Sequence, residues 1–468
     1  MKELDLVILG AGPAGLGAAI EAAKAGVKVG LLDENPEPGG QIYRHMVDSF
    51  QITQPKLLGH DYTRGQKLLA EFNTIRERVE YIGGALVWGL FPGSELTYIQ
   101  DSNPHGVHYR KLIIAVGAYD RPVPFPGWTL PGVFTAGAAQ QMIKTQGLMP
   151  GERFLLAGTG PLLLSLANLI TDAGGEVVAI AEAGKIENWF QMIQGAWGNW
   201  RLIADGLRYL KGIYRARIPL LRSHVIVKAR GNGQVQEAVV APVDQTWQPL
   251  TDQRRTLKVD TVCVGYGFVP SVELTRLAEC NHKYEPLLGG WVPVRNSYME
   301  TSIYGVYAAG DCTSIAGSLV AVEEGRIAGL AVAQSLGHLS QMEADQKMAP
   351  CRRRMAKLEP LRRQLDGISM PRTGLYGLST EDTIICRCEE ITLSEIKKAI
   401  AGGATDMNEI KRMTRTGMGN CQGRMCGPAL QGIIARAQGL AISDINYYNI
   451  RPPIKPVLFT ALNRKIGE

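Results

Sequence analysis

Between the apolar residues 6–9 and an alanine-rich stretch reaching Lys24 stands Gly10-Ala-Gly12-Pro-Ala-Gly15. Few chain conformations accept that order. The apolar run fits a buried strand, the alanine-rich stretch fits a helix, and three glycines at this spacing join them around a pyrophosphate. Gly10 permits the tight turn, Gly12 lets backbone approach a ligand, and Gly15 lets the helix pack on the strand. The helix N-terminus then stabilises phosphate charge. Residues 27–32 read as a second strand, and Asp33, 23 residues after Gly10, places a carboxylate where a ribose would lie. Strand, turn, helix and acid together predict a dinucleotide-binding fold.

The chain is longer than one ordinary domain: 468 residues, 45% hydrophobic, with 54 glycines, suit an α/β protein with many tight turns. A net charge of +6 gives no argument for nucleic acid. Residues 154–171 carry no charge and imitate a membrane span, but Gly158-Thr-Gly160-Pro161 interrupts them, so they read as a buried strand turning into a helix. No integral span is expected, and the glycine turn breaks any signal-peptide pattern at the N-terminus. Cys263, Cys280, Cys312 and Cys351 are scattered without ligand spacing and read as buried thiols of a reducing compartment.

Further motifs sort along the chain. Gly39-Gly40-Gln41 supplies close backbone approach and an amide, residues 112–116 form a buried strand ending at Gly117-Ala118, and residues 305–309 form another ending at Gly310-Asp311. Residues 323–331 read as a helix whose start faces the ligand. These features resemble the FAD half of the thioredoxin-reductase and glutathione-reductase superfamily. Between the two FAD segments, residues 154–157, Gly158-Thr-Gly160-Pro-Leu-Leu163 and residues 177–181 ending at Glu182 occupy that superfamily's nicotinamide position. Leu163 stands where glycine or alanine would let helix and strand approach, so the site reads as degenerate. Glu182 disfavours a 2′-phosphate, so a nicotinamide cofactor there would be NAD; the alternative is a vacant or repurposed fold. No paired cysteines lie near either site, which excludes redox-disulfide chemistry. His45 reads as a loop residue. Trp189, Trp197 and Trp200 among Arg201, Arg208, Lys211, Arg215 and Arg217 suit either a protein interface or an amphipathic helix packed on its own domain. Arg352 to Arg354 with Arg362 and Arg363 fall on a helical linker and read as a solvated or docking face.

Near the C-terminus Cys386-x-Cys388 is followed, after a gap of 32 residues, by Cys421-x-x-x-x-Cys426. Two close pairs of thiolates are what two irons bridged by sulfide require. Structural zinc also takes four thiolates, but its knuckles usually separate paired ligands by two or more residues, and Cys-x-Cys fits less comfortably. Around these cysteines the pattern predicts short helices: a capping box Thr392-Leu-Ser-Glu395, a start at Asp406 with Glu409, and Pro428 just inside a third helix, with the cysteines on loops. Gly417, Gly419 and Gly423 leave backbone N–H groups free to donate to sulfur. The lobe resembles the bacterioferritin-associated-ferredoxin type of [2Fe-2S] domain.

The reductase-like half, the crossing Gly117-Ala-Tyr-Asp-Arg-Pro-Val-Pro-Phe-Pro-Gly-Trp128-Thr-Leu-Pro-Gly-Val133, the lobe segment Gly417-Met-Gly-Asn-Cys421-Gln-Gly-Arg-Met-Cys426-Gly-Pro428 and the ending Arg451-Pro-Pro-Ile-Lys-Pro-Val457 resemble one family as a set. It is the α subunit of heteromeric amino-acid dehydrogenases and oxidases, including hydrogen cyanide synthase, opine oxidase and dye-linked proline and D-hydroxyproline dehydrogenases. The resemblance implies an α/β two-dinucleotide-domain flavoprotein with a small helical [2Fe-2S] lobe. It implies an FAD domain of residues 1–125 and 262–340, a second Rossmann-like domain of 126–261, a helical linker of 341–380, the [2Fe-2S] domain at 381–445 and a proline-containing tail at 446–468. FAD would be held by Gly10, Gly12, Pro13, Ala14, Gly15, Asp33, Glu34, Gly40, Gln41, Val87, Ala115, Gly117, Gly310 and Asp311, and the cluster by Cys386, Cys388, Cys421 and Cys426. It further admits FMN at a subunit interface and NAD or ATP in the second Rossmann domain. The implied partners are a catalytic β flavosubunit of D-amino-acid-oxidase type that oxidises a C–N bond, a small third subunit, and a quinone or dye acceptor. The implied location is cytoplasmic, peripheral to the inner membrane through the complex. No residue of this chain is assigned acid-base work. A self-sufficient NAD(P)H-dependent flavin and iron-sulfur reductase is the alternative.

Overall fold

The computed structural model describes residues 1–43, 59–185, 195 and 198–462. His45, Trp189 and Trp197 lie outside the described residues. Strand β1 (Lys2–Leu9) buries all of its last four side chains, and helix α1 (Pro13–Lys24) starts with Pro13 at a position where a missing N–H costs nothing. Strand β2 (Val29–Leu32) pairs with β1 in parallel, Leu6 opposite Val29 and Leu9 opposite Leu32. It starts two residues later than the pattern suggests because Val27 N–H is spent closing helix α1 on Ala22 O at 3.1 Å.

Helix α2 (Gly59–Asn73) and strand β3 (Val79–Ile82) follow, then an antiparallel meander of β4 (Leu86–Phe91), β5 (Glu95–Gln100) and β6 (Asn103–Ile114). The sheet order is β3-β2-β1-β6-β5-β4. The long β6 turns this into one sheet: residues 103–108 pair with β5, while Leu112 to Ile114 continue the parallel part beside β1.

The second unit holds β7 (Val133–Thr135), α3 (Ala136–Gln146), β8 (Arg153–Gly158), α4 (Pro161–Asp172), β9 (Glu176–Glu182), α5 (Trp200–Arg215) and β10 (Leu220–Arg222). An antiparallel sheet of β11 (His224–Arg230), β12 (Glu237–Pro242) and β13 (Arg255–Lys258) covers it before β14 (Thr261–Gly265) returns between β8 and β7. The uncharged stretch 154–171 therefore divides into β8 and α4. No helix among the described residues is long and apolar enough to cross a membrane. On α5, Leu207 and Tyr214 are exposed while Ile213 faces the domain.

The chain then rejoins the first sheet through β15 (Val306–Ala308), parallel to β6. Helix α6 (Ser318–Ser335) lies along α1 at backbone distance: a Cβ at Gly325 would come within 1.9 Å of Ala14 O, and one at Gly329 within 2.3 Å of Ala18 O. It starts five residues earlier than the sequence reading because Gly317 serves as its N-cap. Helix α7 (Gln341–Ser369) opens on a Ser340–Glu343 capping box. Most of its arginines form ion pairs, Arg354 with Glu323 at 2.6 Å and both Arg362 and Arg363 with Glu359, while exposed Arg353 donates to Ala349 O.

The C-terminal lobe has β16 (Ile384–Cys386), β17 (Ile391–Thr392), α8 (Leu393–Ala401), α9 (Met407–Thr414) and α10 (Gly427–Gln438) around its own core of Ile385, Ile396, Ile410, Leu430 and Ile434. Both expected caps are present, the Thr392–Glu395 box and Asp406 on Glu409 N. The ending is folded in: Tyr448 packs in the lobe core, and Ile454 packs under the first sheet with its N–H on Trp88 O at 3.0 Å. Contacts on several sides fix the lobe to the rest of the chain. Trp128 Nε1 donates to Ile384 O at 2.6 Å, Ser379 Oγ donates to Pro124 O at 2.9 Å, and Arg424 pairs with Glu273 at 3.1 Å.

Candidate cofactor sites

Four strand ends meet at one edge of the first sheet. Register sets Leu9 beside both Leu32 and Ile114, and Ala308 beside Ile114, so Gly10, Asp33, Ala115 and Gly310 emerge together. This is the crevice beyond the carboxyl ends of parallel strands where open α/β sheets take nucleotides. Gly10 has φ +98°, and a Cβ there would sit 2.5 Å from Ala115 O; a Cβ on Gly15 would lie 1.7 Å from Gly10 O. Gly40 (φ +62°) is wedged against the turn, its Cβ position 2.7 Å from Gly12 Cα. Gly310 faces Ala14, where a Cβ would come within 2.8 Å of the alanine methyl. Pro13 stands at the first position of α1, whose N-terminus faces the crevice. At Gly117 (φ +71°) an added Cβ meets nothing within 4 Å, so the backbone there borders open space.

The acids sit differently from one another. Asp33 is buried and accepts from Ala11 N at 2.6 Å and from Asn35 N at 2.7 Å, so it braces the glycine turn as well as lying beside it. Glu34 is exposed and ion-paired with Lys455 of the chain's ending. Asp311 accepts from Ala316 N and Gly317 N at 3.2 Å each, and burial pushes its carboxyl up to about 6. Val87 lies on β4, two residues past Ala85, whose N–H donates to Asp33 O at 2.8 Å. Gln41 O accepts from Gln141 on α3, tying the flavin-side loop to the second unit. Sequence reasoning missed Glu324, a buried carboxylate that accepts from Gly310 N at 2.8 Å and pairs with Arg295 at 2.5 Å. Only its place in a glycine-rich apolar helix hints at it.

The second dinucleotide fold departs further from pattern. Leu163 is fully buried, and room for it comes from Gly265 across the sheet, where a Cβ would lie 3.1 Å from the Leu163 side chain. Glu182 is turned onto its own loop, accepting from Gly160 N at 3.2 Å and Gly184 N at 2.8 Å. Burial raises it to about 7, against hydrogen bonds from Thr159, Gly184 and Gly160. Because this folded value lies above the ordinary 4.5, the unfolded chain loses its proton first, and stability falls as pH rises from about 4.5 to about 7. The expected slope is at most about 1.4 kcal/mol per pH unit. Glu182→Gln should flatten it, and an unchanged fall in melting temperature between pH 5 and 8 in the variant would refute the assignment.

All four lobe cysteines meet at one place. Cys386 ends β16 rather than lying on a loop, Cys388 follows in the turn, Cys421 lies in the 415–426 loop, and Cys426 is the residue before α10. Cys386 and Cys426 are buried, Cys421 half-buried and Cys388 exposed. The thiols contact as two pairs, Cys386 with Cys426 and Cys388 with Cys421. Cys386 is drawn down to about 6 by the Cys426 thiol, against burial and with help from the N–H groups of Gly417, Glu389 and Cys388. Two contacting pairs of thiols match the two irons of a [2Fe-2S] cluster, each of which takes two thiolates. Tyr448 was not foreseen: its hydroxyl lies 3.7 Å from Cys426 Sγ, and its ring packs over Gly417 and Gly423, where a Cβ would come within 2.8 and 2.7 Å. The adjacent tyrosines of the ending were the available signal.

Fold and site define an oxidoreductase with two dinucleotide folds and an iron-sulfur lobe. The family model for pyridine nucleotide-disulphide oxidoreductases matches residues 4–337, and that for BFD-like [2Fe-2S] binding domains matches residues 384–436. The chain is 34% identical to the A subunit of opine oxidase from Rhizobium meliloti, over 98% of this chain and 87% of that one. It is 33% identical to the HcnB subunit of hydrogen cyanide synthase from Pseudomonas aeruginosa, over 97% of each. The chain belongs to the pyridine nucleotide-disulphide oxidoreductase family and, within it, to the group of the opine oxidase A subunit and the hydrogen cyanide synthase HcnB subunit. The alpha subunit of sarcosine oxidase from Corynebacterium sp. (strain U-96) is more distant at 24%, and this chain spans 46% of it. Among solved structures, L-proline dehydrogenase from P. horikoshii shares the fold with a TM-score of 0.71 over 99% of this chain and 80% of that one, at 22% identity. T. acidophilum thioredoxin reductase matches 72% of this chain and 99% of its own, with a TM-score of 0.51 at 21% identity. The cofactors are FAD and a [2Fe-2S] cluster.

Proposed function

We propose that this chain is the electron-relaying subunit of a heteromeric oxidoreductase whose substrate is an opine or amino acid oxidised at a C–N bond. The observation that carries this reading is the presence in one chain of a nucleotide crevice and a paired-thiol lobe, in the same group as the A subunit of opine oxidase. Gly10, Gly12, Pro13, Ala14, Gly15, Gly40, Gly117, Gly310 and Asp311 border the crevice and would hold FAD. Cys386, Cys388, Cys421 and Cys426 would hold the cluster. Bound there, the two groups supply a two-electron acceptor and a one-electron acceptor, so electrons arriving in a pair can leave singly. A partner flavosubunit would take the hydride from the carbon next to nitrogen; the nitrogen loses a proton, and water hydrolyses the resulting imine. The residues of this chain would bind and orient its cofactors, Glu324 bracing Gly310 and Tyr448 packing beside Cys426. A quinone-type acceptor would drain the electrons. We place the complex in the cytoplasm, docked to the inner membrane through its partners.

Co-purification with native partners tests this, using opines, proline, hydroxyproline and glycine with an artificial dye. Dye reduction is expected from the complex and not from this chain by itself. Turnover by the isolated chain, or a complex that no amine reduces, would sink the reading.

A further inference from the structure

The last turn of α7 ends against the glycine turn of the second dinucleotide fold. Thr159 Oγ1 in the second glycine turn lies 3.3 Å from Ile368 O. A Cβ on Gly160 would lie 2.7 Å from Ser369 Oγ, one on Gly184 would lie 2.8 Å from the Ile368 side chain, and one on Gly267 3.9 Å from Ser369 O. Three separate loops therefore approach the same two residues closely enough that a side chain at any of their glycines would meet them. Gly160 is the N-cap of α4, and the space over that N-terminus is where a dinucleotide fold seats a pyrophosphate. Its amide is already taken by Glu182 at 3.2 Å. Asp366 in the same turn pairs with Arg362 at 3.9 Å.

We infer that Ile368 and Ser369 determine electron-donor specificity by occupying the place a nicotinamide dinucleotide would take. The linker thereby closes the route by which a nicotinamide reaches a flavin, so electrons enter this chain from a protein partner. Only that last clause rests on the proposed function. The occupied glycine turn stands without it.

The test uses the flavin-loaded full chain with no partner in any arm, so a wrong substrate class cannot affect it. NADH at about 1 mM, the upper end of ordinary KM values, should neither bleach the flavin anaerobically nor gain fluorescence. In the Ile368→Gly, Ser369→Gly double variant, amide exchange at Thr159 and Gly160 should accelerate at least about tenfold while flavin content stays constant. Flavin bleaching or saturable NADH binding in the native chain would overturn the inference. So would unchanged exchange in a double variant that retains its flavin.

Discussion

Cys421→Ser should yield protein that is still yellow but has lost the visible and paramagnetic signals of its cluster. Serine keeps the volume but offers a hydroxyl far less acidic than a thiol, and iron held by sulfide prefers thiolate. Cys421 is also one half of the Cys388–Cys421 contact, so its loss leaves Cys388 without its sulfur partner. The lobe has its own core, and the flavin crevice sits on another built from Ile8, Leu16, Leu31 and Ile327. Metal binding contributes folding energy to small lobes, so a lower melting transition for the lobe is expected as well. Absorption and paramagnetic resonance spectra with a flavin count decide it. If flavin falls in step with the cluster, the sites are one folding unit and the modular reading fails.

Gly15→Val should abolish FAD binding and destabilise the first domain, whereas Gly12→Ala should fold normally and lose only affinity for FAD. The two glycines lie three residues apart in one turn, and only geometry separates them. A Cβ at Gly15 would sit 1.7 Å from the Gly10 carbonyl oxygen, a backbone atom that cannot move without dismantling the strand end. The cost should reach about 3 kcal/mol, the upper end for overpacked core sites, because the clashing atom is backbone. A Cβ at Gly12 meets nothing closer than Gly40 Cα at 3.8 Å, an ordinary contact, and Gly12 has φ −74°, which alanine accepts. Its Cβ instead points where a pyrophosphate must come close, so affinity for FAD should drop at least about tenfold with little change in the stability of the FAD-free protein. Flavin titration and thermal melts of both FAD-free variants check this. A Gly12→Ala protein that binds FAD like the native chain would place the ligand elsewhere.

How far the sites could be read from the sequence followed from how local their chemistry is. Gly10, Gly12 and Gly15, the strand before them and the helix after them were readable because steric rules act over a few residues. The four cysteines were readable because thiolate pairs at this spacing have few other uses. Leu163 looked like a defect, and the structure shows why it is tolerated: Gly265, about a hundred residues later, leaves the space that the helix needs. The ending after 446 read as a tail because prolines and polar residues conceal two anchors, Tyr448 beside Cys426 and Ile454 in the core beneath the first sheet.

By itself the sequence determined the classes of group this chain holds, a dinucleotide and a thiolate-bound cluster, because those depend on spacing and on residue type. Tertiary structure decided which sites are open. Glu324 reaches Gly310 from a helix, Tyr448 covers the cluster loop from beyond the lobe's last helix, and Ser369 stands over Gly160 from the linker helix. Each contact joins residues separated by 14 to more than 200 positions. Such pairings depend on the shape of the packed chain, which no local pattern encodes.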